Sequence, residues 1–485
     1  MTQLTAFYIP EPRLIFSENS KFKDPKGGLF LFGPYGKYVD GKPVSVTANV
    51  GIIGTSRSIG KTLDFFDCLR NRIPATSKGG VDYPGLGLKG RLRFDVKFDE
   101  QWQENLTNSD IEECKKQEKR TDKALYALDL IEDKLESLRQ KEPSPDVIII
   151  SIPMEIIRMC KIYGQVGLKI TLAHRRFGTI LTEEQMKGDY DFHNIIKVVG
   201  MKYHLPTQVI LPTTLDIERK VGVQDLATRA WNLTVGIYYK ARGVPWKLTE
   251  LEPGTCYAGV SFYRELDPEG QHTMRASVAQ IFLHTGESLV LRGDPFRWPE
   301  ADRYPRLTEE QSFALSQKII DAYIKTHKEQ PERLVIHKSS SFTDEEVRGF
   351  SNHQSLKQLD LLTISQSPIG WYRQGTFPIV RGTVVKAFSL SMEEFFIFTL
   401  GYIPQLETFP KPGIPRPIRV RIANLDTPER KMCKEILALT RLNWNNANFC
   451  DQMPITLLAS NRIGEILAET RAREIEPSTE YRFYM

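Results

Sequence analysis

Long apolar runs are absent from this 485-residue sequence, and its start does not have the pattern of an export signal. No stretch approaches the roughly 20 consecutive apolar residues that span a bilayer. The opening residues MTQLTAFYIPEPRL lack a basic region, an apolar core and a small-residue cleavage site. We therefore expect a cytoplasmic protein that does not have a membrane as a partner.

Cysteine is scarce and scattered. The six cysteines form no CxxC pair and no cluster with histidine, which argues against a disulfide framework and against a zinc site. Hydrophobic residues make up 41% and charged residues 26% of the chain, which is close to ordinary globular usage and suggests neither wholesale disorder nor a fibrous class. A net charge of +5 permits an acidic partner such as nucleic acid but does not require one.

Strands and helices alternate in the first half of the chain, and the pattern changes after Gly243. The strand-like runs are 44–54, 146–153 and 205–212, and the helix-like runs are 58–71, 109–141, 191–204 and 225–243. This alternation predicts a doubly wound α/β domain. The second half opens with three consecutive strand-like runs, then a helix and a strand, which is typical of a ribonuclease H type of sheet. We place the domains at 1–243 and 244–485.

A nucleotide-binding loop is the first candidate site, at residues 54–62 with the sequence GTSRSIGKT. The P-loop pattern GxxxxGK[ST] needs a glycine five residues before Gly60, and Thr55 stands there. The alternative is a strand-to-helix turn in which Lys61 is solvated, and we prefer that interpretation. An α/β nucleotide-binding enzyme stays open as an alternative function.

A second candidate site combines lysine, histidine and amide side chains. His193 and Lys197 are four residues apart and share one face of a predicted helix, and Gln208 begins the next strand. Lys240 ends a later helix, with Asn232 two turns earlier on the same face. A terminal phosphate carries nearly two negative charges and several acceptor oxygens, which such donors match. Each residue alone would more often be a solvated or capping side chain, and the spacing does not decide between the two.

Several runs in this order resemble the MID and PIWI domains of prokaryotic Argonautes. They are HNIIK followed by LPTQVI, then IYYKARGVPWKL, and finally NWNNANFCDQMPITLLASNRIGEIL. The resemblance extends from about Val44 to the end of the chain. It implies an α/β fold with a Rossmann-like MID domain followed by a ribonuclease H-like PIWI domain, as in a short Argonaute.

The resemblance also implies the residues of a pocket for the guide 5′ phosphate. Carried over onto this sequence, they are His193, Lys197, Gln208, Asn232 and Lys240. In the family a divalent cation bridges the first guide phosphates and the C-terminal carboxylate, which implies Mg²⁺ held by Met485. The position four before Lys240, often a metal-contacting glutamine, is Gly236, and this departure puts the metal in question.

The acidic positions of the family's nuclease site are occupied by serine. They are Ser261, Ser339 and Ser460. A neutral hydroxyl cannot hold the two metal ions of such a site, so we expect no catalytic residues and no cleavage. Acids 344–346 are better explained as the start of a helix. We expect His337 and Lys338 either to contact a nucleic-acid backbone or simply to lie on the surface.

The resemblance implies a sensor rather than an enzyme. The chain would bind a short guide RNA, recognise a complementary single-stranded DNA target, and activate a partner that carries an APAZ domain. That partner would be a sirtuin-like or TIR enzyme that depletes NAD, or less often a nuclease of the DREN kind, in antiviral defence by abortive infection. The alternatives are an active guided nuclease and a scaffold that binds no nucleic acid.

Overall fold

The computed structural model describes most of the chain. The described residues are 3–39, 42–76, 79–160, 192–218, 224–266, 272–282, 288–296, 305–353, 355–371, 378–388, 393–407, 414–470 and 475–485. No helix in these ranges combines the length and the apolar character that a membrane crossing needs.

The chain divides into two compact units. We call residues 36–243, 465–478 and 482–485 the five-stranded unit, and residues 1–35, 244–464 and 479–481 the nine-stranded unit, after their main sheets. Each is a mixture of helices and strands. The predicted α/β fold class is confirmed.

The five-stranded unit contains a fully parallel sheet. Its strands are β6 Val46–Gly54, β7 Phe94–Lys97, β8 Gln103–Asn105, β9 Val147–Ser151 and β10 Thr207–Ile210. They lie in the order β10-β9-β6-β7, and β8 pairs with the second half of β6. A short hairpin, β4 Lys37–Val39 and β5 Lys42–Val44, precedes the sheet. Strand β9 is buried at every residue, which explains its continuous apolar sequence.

Helices connect these strands. They are α2 Ser56–Leu69, α3 Asn108–Lys116, α4 Arg120–Arg139, α5 Met154–Met159, α6 Phe192–Lys202, α7 Pro212–Leu215 and α8 Leu226–Lys240. The side chains of Thr55 and Asp225 cap α2 and α8 by accepting from backbone N–H groups three residues later. A core cluster packs Ile53 of β6 and Ile148 and Ile150 of β9 against the apolar faces of α4 and α6.

The prediction of a single helix over residues 109–141 is wrong. This segment forms two helices, α3 and α4, because the backbone at Gln117 turns to an extended conformation. A capping box formed by Thr107 and Asp110 starts the first of them. The break lets α3 pack against α4 and contribute Ile111 to the buried interior.

The nine-stranded unit contains one mixed sheet. Its strands are β1 Gln3–Tyr8, β12 Thr255–Leu266, β13 His272–Phe282, β14 Ser288–Phe296, β15 Arg333–Lys338, β16 Gln358–Gln366, β17 Thr383–Phe388, β18 Glu393–Ile397 and β19 Ile418–Leu425. They lie in the order β1-β17-β18-β19-β16-β15-β12-β13-β14. Strands β12, β15 and β16 are parallel to one another, and the other pairs are antiparallel. A small sheet joins β2 Leu14–Ile15, β3 Lys21–Phe22 and β11 Lys247–Leu248.

Side-chain caps begin several of the helices of this unit. The helices of the unit are α1 Pro25–Phe32, α9 Glu309–His327, α10 Asp344–Ser351, α11 Glu429–Leu439 and α12 Ile455–Thr470. Capping boxes at Thr308 and Thr343 begin α9 and α10. One core packs α9 and α10 against alternate residues of β12 and β15, including Val260 and Ile336.

The predicted borders, 1–243 and 244–485, differ from this division at both ends of the chain. Residues 1–35 group with the nine-stranded unit, because β1 pairs with β17 and the buried Glu11 forms ion pairs with Arg381 and Arg441. The last residues, 482–485, group with the five-stranded unit. Neither long-range pairing has a local sequence signal.

Candidate functional site

Two lysine side chains are buried in the five-stranded unit. Lys197 of α6 is 2% exposed and Lys240, the last residue of α8, is 0% exposed. An isolated buried ammonium group is costly, so each needs oxygen partners. Lys197 donates to the main-chain oxygen of Met485, and Lys240 donates to Oε1 of Gln208 at 2.5 Å.

The residues before Met485 bring the two lysines into one neighbourhood. Arg482 donates to the carbonyl oxygen of Lys240 at 3.0 Å, and Met485, three residues later, accepts from Lys197. The hydroxyl of Tyr484 donates to the carbonyl of Ser478 at 2.6 Å and fixes the segment between them. No sequence signal singled out Arg482.

Helix α6 also holds His193 and positions Gln208. His193 is half-buried and lies one turn before Lys197 on the same face. At the other end of α6, Gly200 allows a close approach: a Cβ there would lie 2.6 Å from the carbonyl oxygen of Leu205. This tight turn leads directly into β10, where Gln208 is the second residue. Histidine, lysine and amide therefore come from adjoining parts of one α–β connection.

Helix α8 separates Asn232 from this cluster. Asn232 is eight residues before Lys240, which is about 12 Å along a helix axis. Its amide donates to Oε1 of Gln224 at 3.4 Å. The structure therefore joins Lys240 to Gln208, places His193 one turn from Lys197, and leaves Asn232 two turns from Lys240. Between Asn232 and Lys240, a Cβ on Gly236 would lie 3.9 Å from Gln208 Oε1, an ordinary van der Waals contact.

The cluster is suited to an anion. Two ammonium groups and a neutral amide supply positive charge and directional donors. Charge-assisted hydrogen bonds of this kind are stronger than hydrogen bonds between neutral groups. Mg²⁺ requires oxygen ligands. Two protein oxygens in the cluster, on Gln208 and Met485, each accept a hydrogen bond from a lysine. The expected Mg²⁺ stays a prediction.

In the nine-stranded unit, two of the predicted serine positions lie side by side. Strand β12 runs parallel to β15 with Val260 opposite Lys338, so the next residues, Ser261 and Ser339, are level with each other. Ser261 is 5% exposed and Ser339 is exposed. Since Val260 faces α9, Ser261 faces the opposite side of the sheet.

Helix α12 brings the third serine to that side. Its Thr456 carbonyl lies so close to Gly259 that a Cβ there would be 2.0 Å away, and Thr456 Oγ1 is 2.8 Å from Nδ1 of His337. Ser460 follows one turn later on the same helix face and is fully buried. Its hydroxyl donates to the carbonyl of Leu457 at 3.2 Å. The three serines therefore lie around the carboxyl end of β15 and the middle of β12.

The acidic residues that the structure describes in this unit serve as helix caps and ion-pair partners. Within the described ranges, no group of three or more histidine, cysteine, aspartate or glutamate side chains is arranged to hold a metal ion. Asp344, Glu345 and Glu346 form the first turn of α10, as predicted. Two other buried acids, Asp360 and Glu435, are paired with Arg333 at 2.5 and 2.7 Å.

The expectation that His337 and Lys338 contact nucleic acid or lie on the surface is wrong. Each is 1% exposed. Burial lowers the pKa of His337 to about 3, so the ring is neutral at physiological pH. Lys338 forms an ion pair with Glu346, and its ammonium group lies 5.1 Å from the ring centre of Phe342. Both residues belong to the core.

Residues 54–62 form a simple strand-to-helix turn. Strand β6 ends at Gly54, Thr55 caps α2, and α2 begins at Ser56. Only one residue separates strand from helix, which leaves no loop of backbone amides to surround a triphosphate. Lys61 is exposed on α2. The geometry favours the turn over a nucleotide site.

Comparisons with known proteins point to one family. No protein-family model matches the sequence. The chain is 23% identical over 291 residues, 59% of its length, to a protein argonaute of Aquifex aeolicus, of which the match covers 36%.

Solved structures show the same fold. Clostridium butyricum Argonaute, bound to a guide DNA and a 19-mer target DNA, superposes with a TM-score of 0.61 at 14% identity, covering 96% of this chain and 53% of that one. For A. aeolicus Argonaute the TM-score is 0.56 at 17% identity, with 98% and 55% covered. For Drosophila Piwi it is 0.62 at 11% identity, with 99% and 56% covered. The chain thus spans little more than half the length of these proteins.

The sequence match and the structural matches agree with the runs that resemble MID and PIWI domains. This chain is similar in sequence to a protein argonaute and shares the MID–PIWI fold of the solved Argonaute and Piwi structures.

Proposed function

We propose that this protein binds a short guide strand by its 5′ phosphate and recognises a complementary target without cutting it. The observation that carries this proposal is the pair of buried lysines, Lys197 and Lys240, joined by Gln208 and the residues before Met485. Clostridium butyricum Argonaute, a structural relative, was solved with a guide and a target. By the resemblance, the guide is a short RNA and the target single-stranded DNA.

The pocket residues would act through charge and position. A 5′ phosphate would take over hydrogen bonds from Lys197 and Lys240, and the imidazole of His193 would donate from the adjoining turn of α6. The cost of burying two ammonium groups is met in advance by the fold, so the incoming dianion finds them already ordered. Gln208 would donate its amide N–H₂ to a phosphate oxygen. Sequence specificity would come from base pairing rather than from protein contacts to bases.

The Mg²⁺ that the resemblance implies can be tested separately from phosphate binding. Because the oxygens of Gln208 and Met485 are hydrogen-bonded to lysines, we expect removal of divalent cations to weaken guide binding by less than about threefold. The measurement is the dissociation constant of a 5′-phosphorylated RNA in EDTA and in Mg²⁺ at equal ionic strength. If the affinity for the RNA falls tenfold or more in EDTA, the result would support the metal-bridged arrangement that the resemblance implies.

The serine cluster predicts that the chain does not slice. A two-metal nuclease site needs carboxylates to hold its cations, and Ser261, Ser339 and Ser460 offer only hydroxyls. With guide, labelled complementary DNA or RNA, and Mg²⁺ or Mn²⁺, we expect uncut target after extended incubation. A product cut at one fixed position along the guide, absent with a variant that cannot bind guide, would show that other residues supply the chemistry.

If the chain does not cut its target, a cellular response to target recognition requires a second protein. We propose, from the family resemblance, an APAZ-containing effector with a sirtuin-like or TIR enzyme that depletes NAD, or less often a DREN-type nuclease. The test is co-expression with the product of the neighbouring reading frame, followed by addition of target. Loss of NAD that needs both guide and target would support this role, and unchanged NAD with an intact complex would refute it for the NAD-consuming effectors.

A further inference from the structure

The edge strand β1 directs backbone groups away from the nine-stranded sheet. It pairs with β17 alone, and Ile9 N–H donates to the Gly382 carbonyl at 2.9 Å in continuation of that register. In an antiparallel pair, hydrogen bonds to the neighbour are made at alternate residues. The amides and carbonyls of Leu4 and Ala6 therefore point outward. The Tyr8 carbonyl also points outward, and Arg430 donates to it at 2.9 Å.

The other edge of the sheet is protected, whereas β1 is not. Strand β14 contains Arg292, Asp294 and Pro295, and its register against β13 is broken twice. Its Val290 N–H donates to the Thr479 carbonyl at 2.8 Å. Such features are the usual defences against unwanted strand pairing.

Strand β1, with the sequence QLTAFY, has no charge, no proline and no break in register. Two of its apolar side chains are open to solvent, Leu4 at 53% and Tyr8 at 44% exposed. Among the described residues, no strand other than β17 pairs with it. An edge of this kind is a ready template for another strand.

We propose that β1 pairs antiparallel with β1 of a second copy of this chain. A two-fold axis through Thr5 sets Leu4 of each copy opposite Ala6 of the other. Both residues direct their backbone groups outward, so the pairing supplies about four hydrogen bonds. Opposed residues also point to the same face of the joined sheets, as a two-fold axis perpendicular to them requires.

Side-chain chemistry favours a second copy as the occupant. No charges meet across the axis, and the two Thr5 side chains form a favourable cross-strand pair. Arg430, which covers the Tyr8 carbonyl, ends the contact at that side. A second copy of this chain therefore supplies every group that the pairing needs. It does not depend on guide binding.

Sedimentation of the full chain over a range of concentrations tests the proposal. Ala6→Pro removes an outward N–H and leaves the bonds to β17 intact, and Leu4→Lys places a charge at the edge. We expect a concentration-dependent dimer whose dissociation constant rises at least about tenfold in either variant. Leu31→Lys, at a residue 48% exposed on α1, is the matched control and should dimerise like wild type. A wild-type chain that stays monomeric, or an unaffected Ala6→Pro dimer, would overturn the proposal.

Cross-linking tests the register. Thr5→Cys places two thiols face to face on the axis, in a pair without direct backbone bonds where the strands are closest. We expect mild oxidation to give a covalent dimer that reductant reverses. Gln3→Cys places the two thiols about 13 Å apart along the strands and should not cross-link. If both variants cross-link to the same extent, or if neither cross-links, this arrangement is ruled out.

Discussion

Replacing Lys197 and Lys240 together with methionine should weaken binding of a 5′-phosphorylated RNA of about 20 nucleotides by at least about 100-fold. Each lysine is buried and would donate a charge-assisted hydrogen bond to the phosphate. Methionine keeps most of the side-chain volume and removes only the charge and the donors. The measurement is a binding titration at fixed salt, since affinity for nucleic acid depends on salt.

A third lysine provides the control. Lys202 lies on the same helix α6 but is exposed, and its ammonium group pairs with Glu132 at 2.6 Å. Lys202→Met removes the same charge from the same helix and should change affinity by less than about threefold. Equal losses in Lys202→Met and in the double variant would show that the effect is general electrostatics rather than a phosphate pocket. Unchanged thermal unfolding in both variants would show that the fold is intact.

Replacing Glu11 with alanine should lower the free energy of unfolding by about 3–5 kcal/mol, because it leaves two buried guanidinium groups without their carboxylate. Glu11 Oε2 accepts from Arg381 Nε at 2.8 Å, and its other oxygen accepts from Arg441. Arg441 also donates to the carbonyl of Lys23, so the network joins residues 1–35 to the rest of their unit. Urea unfolding of the two proteins measures the difference.

An exposed ion pair of the same unit is the comparison. Glu309 accepts from Arg348 at 2.7 Å with both side chains near half exposure, so Glu309→Ala should lower the free energy of unfolding far less than Glu11→Ala does. If the Glu11→Ala variant is as stable as Glu309→Ala, the attachment of residues 1–35 to their unit does not depend on this network.

The same network has a pH signature. Burial raises the pKa of Glu11, but Arg381 and Arg441 outweigh it and hold that pKa below its ordinary value of 4.5. A depressed pKa in the folded state stabilises the protein above the unfolded pKa, and that contribution is lost as pH falls through the folded one. The difference in the free energy of unfolding between wild type and Glu11→Ala should therefore become smaller as the pH falls below about 4.5.

Local pattern explains how much of the fold could be predicted. The buried run of β9 and the periodic sequence of α8 are visible in the residues themselves, and both elements lie where they were expected. The break at Gln117 was missed because the charged residues around it favour a helix. The place of β1 was missed because its partner β17 is some 380 residues away in the sequence.

The candidate site was predictable in its residues but not in its contacts. Spacing on a helix relates His193 to Lys197, whereas the bond between Lys240 and Gln208 depends on how α8 meets β10. His337 and Lys338 were misjudged because charge at a strand end usually means the surface. Here Thr456 and Glu346 provide buried partners that only the folded chain brings close.

The most direct test of the proposed function compares two RNAs of identical sequence, one with a 5′ phosphate and one with a 5′ hydroxyl, for binding to the wild-type chain at the same salt concentration. Since the account assigns two buried ammonium groups to the terminal phosphate, it predicts that the phosphorylated RNA binds at least about 30-fold more tightly. Equal affinity for the two RNAs would contradict it, because the buried lysines would then have no role in recognising a guide end.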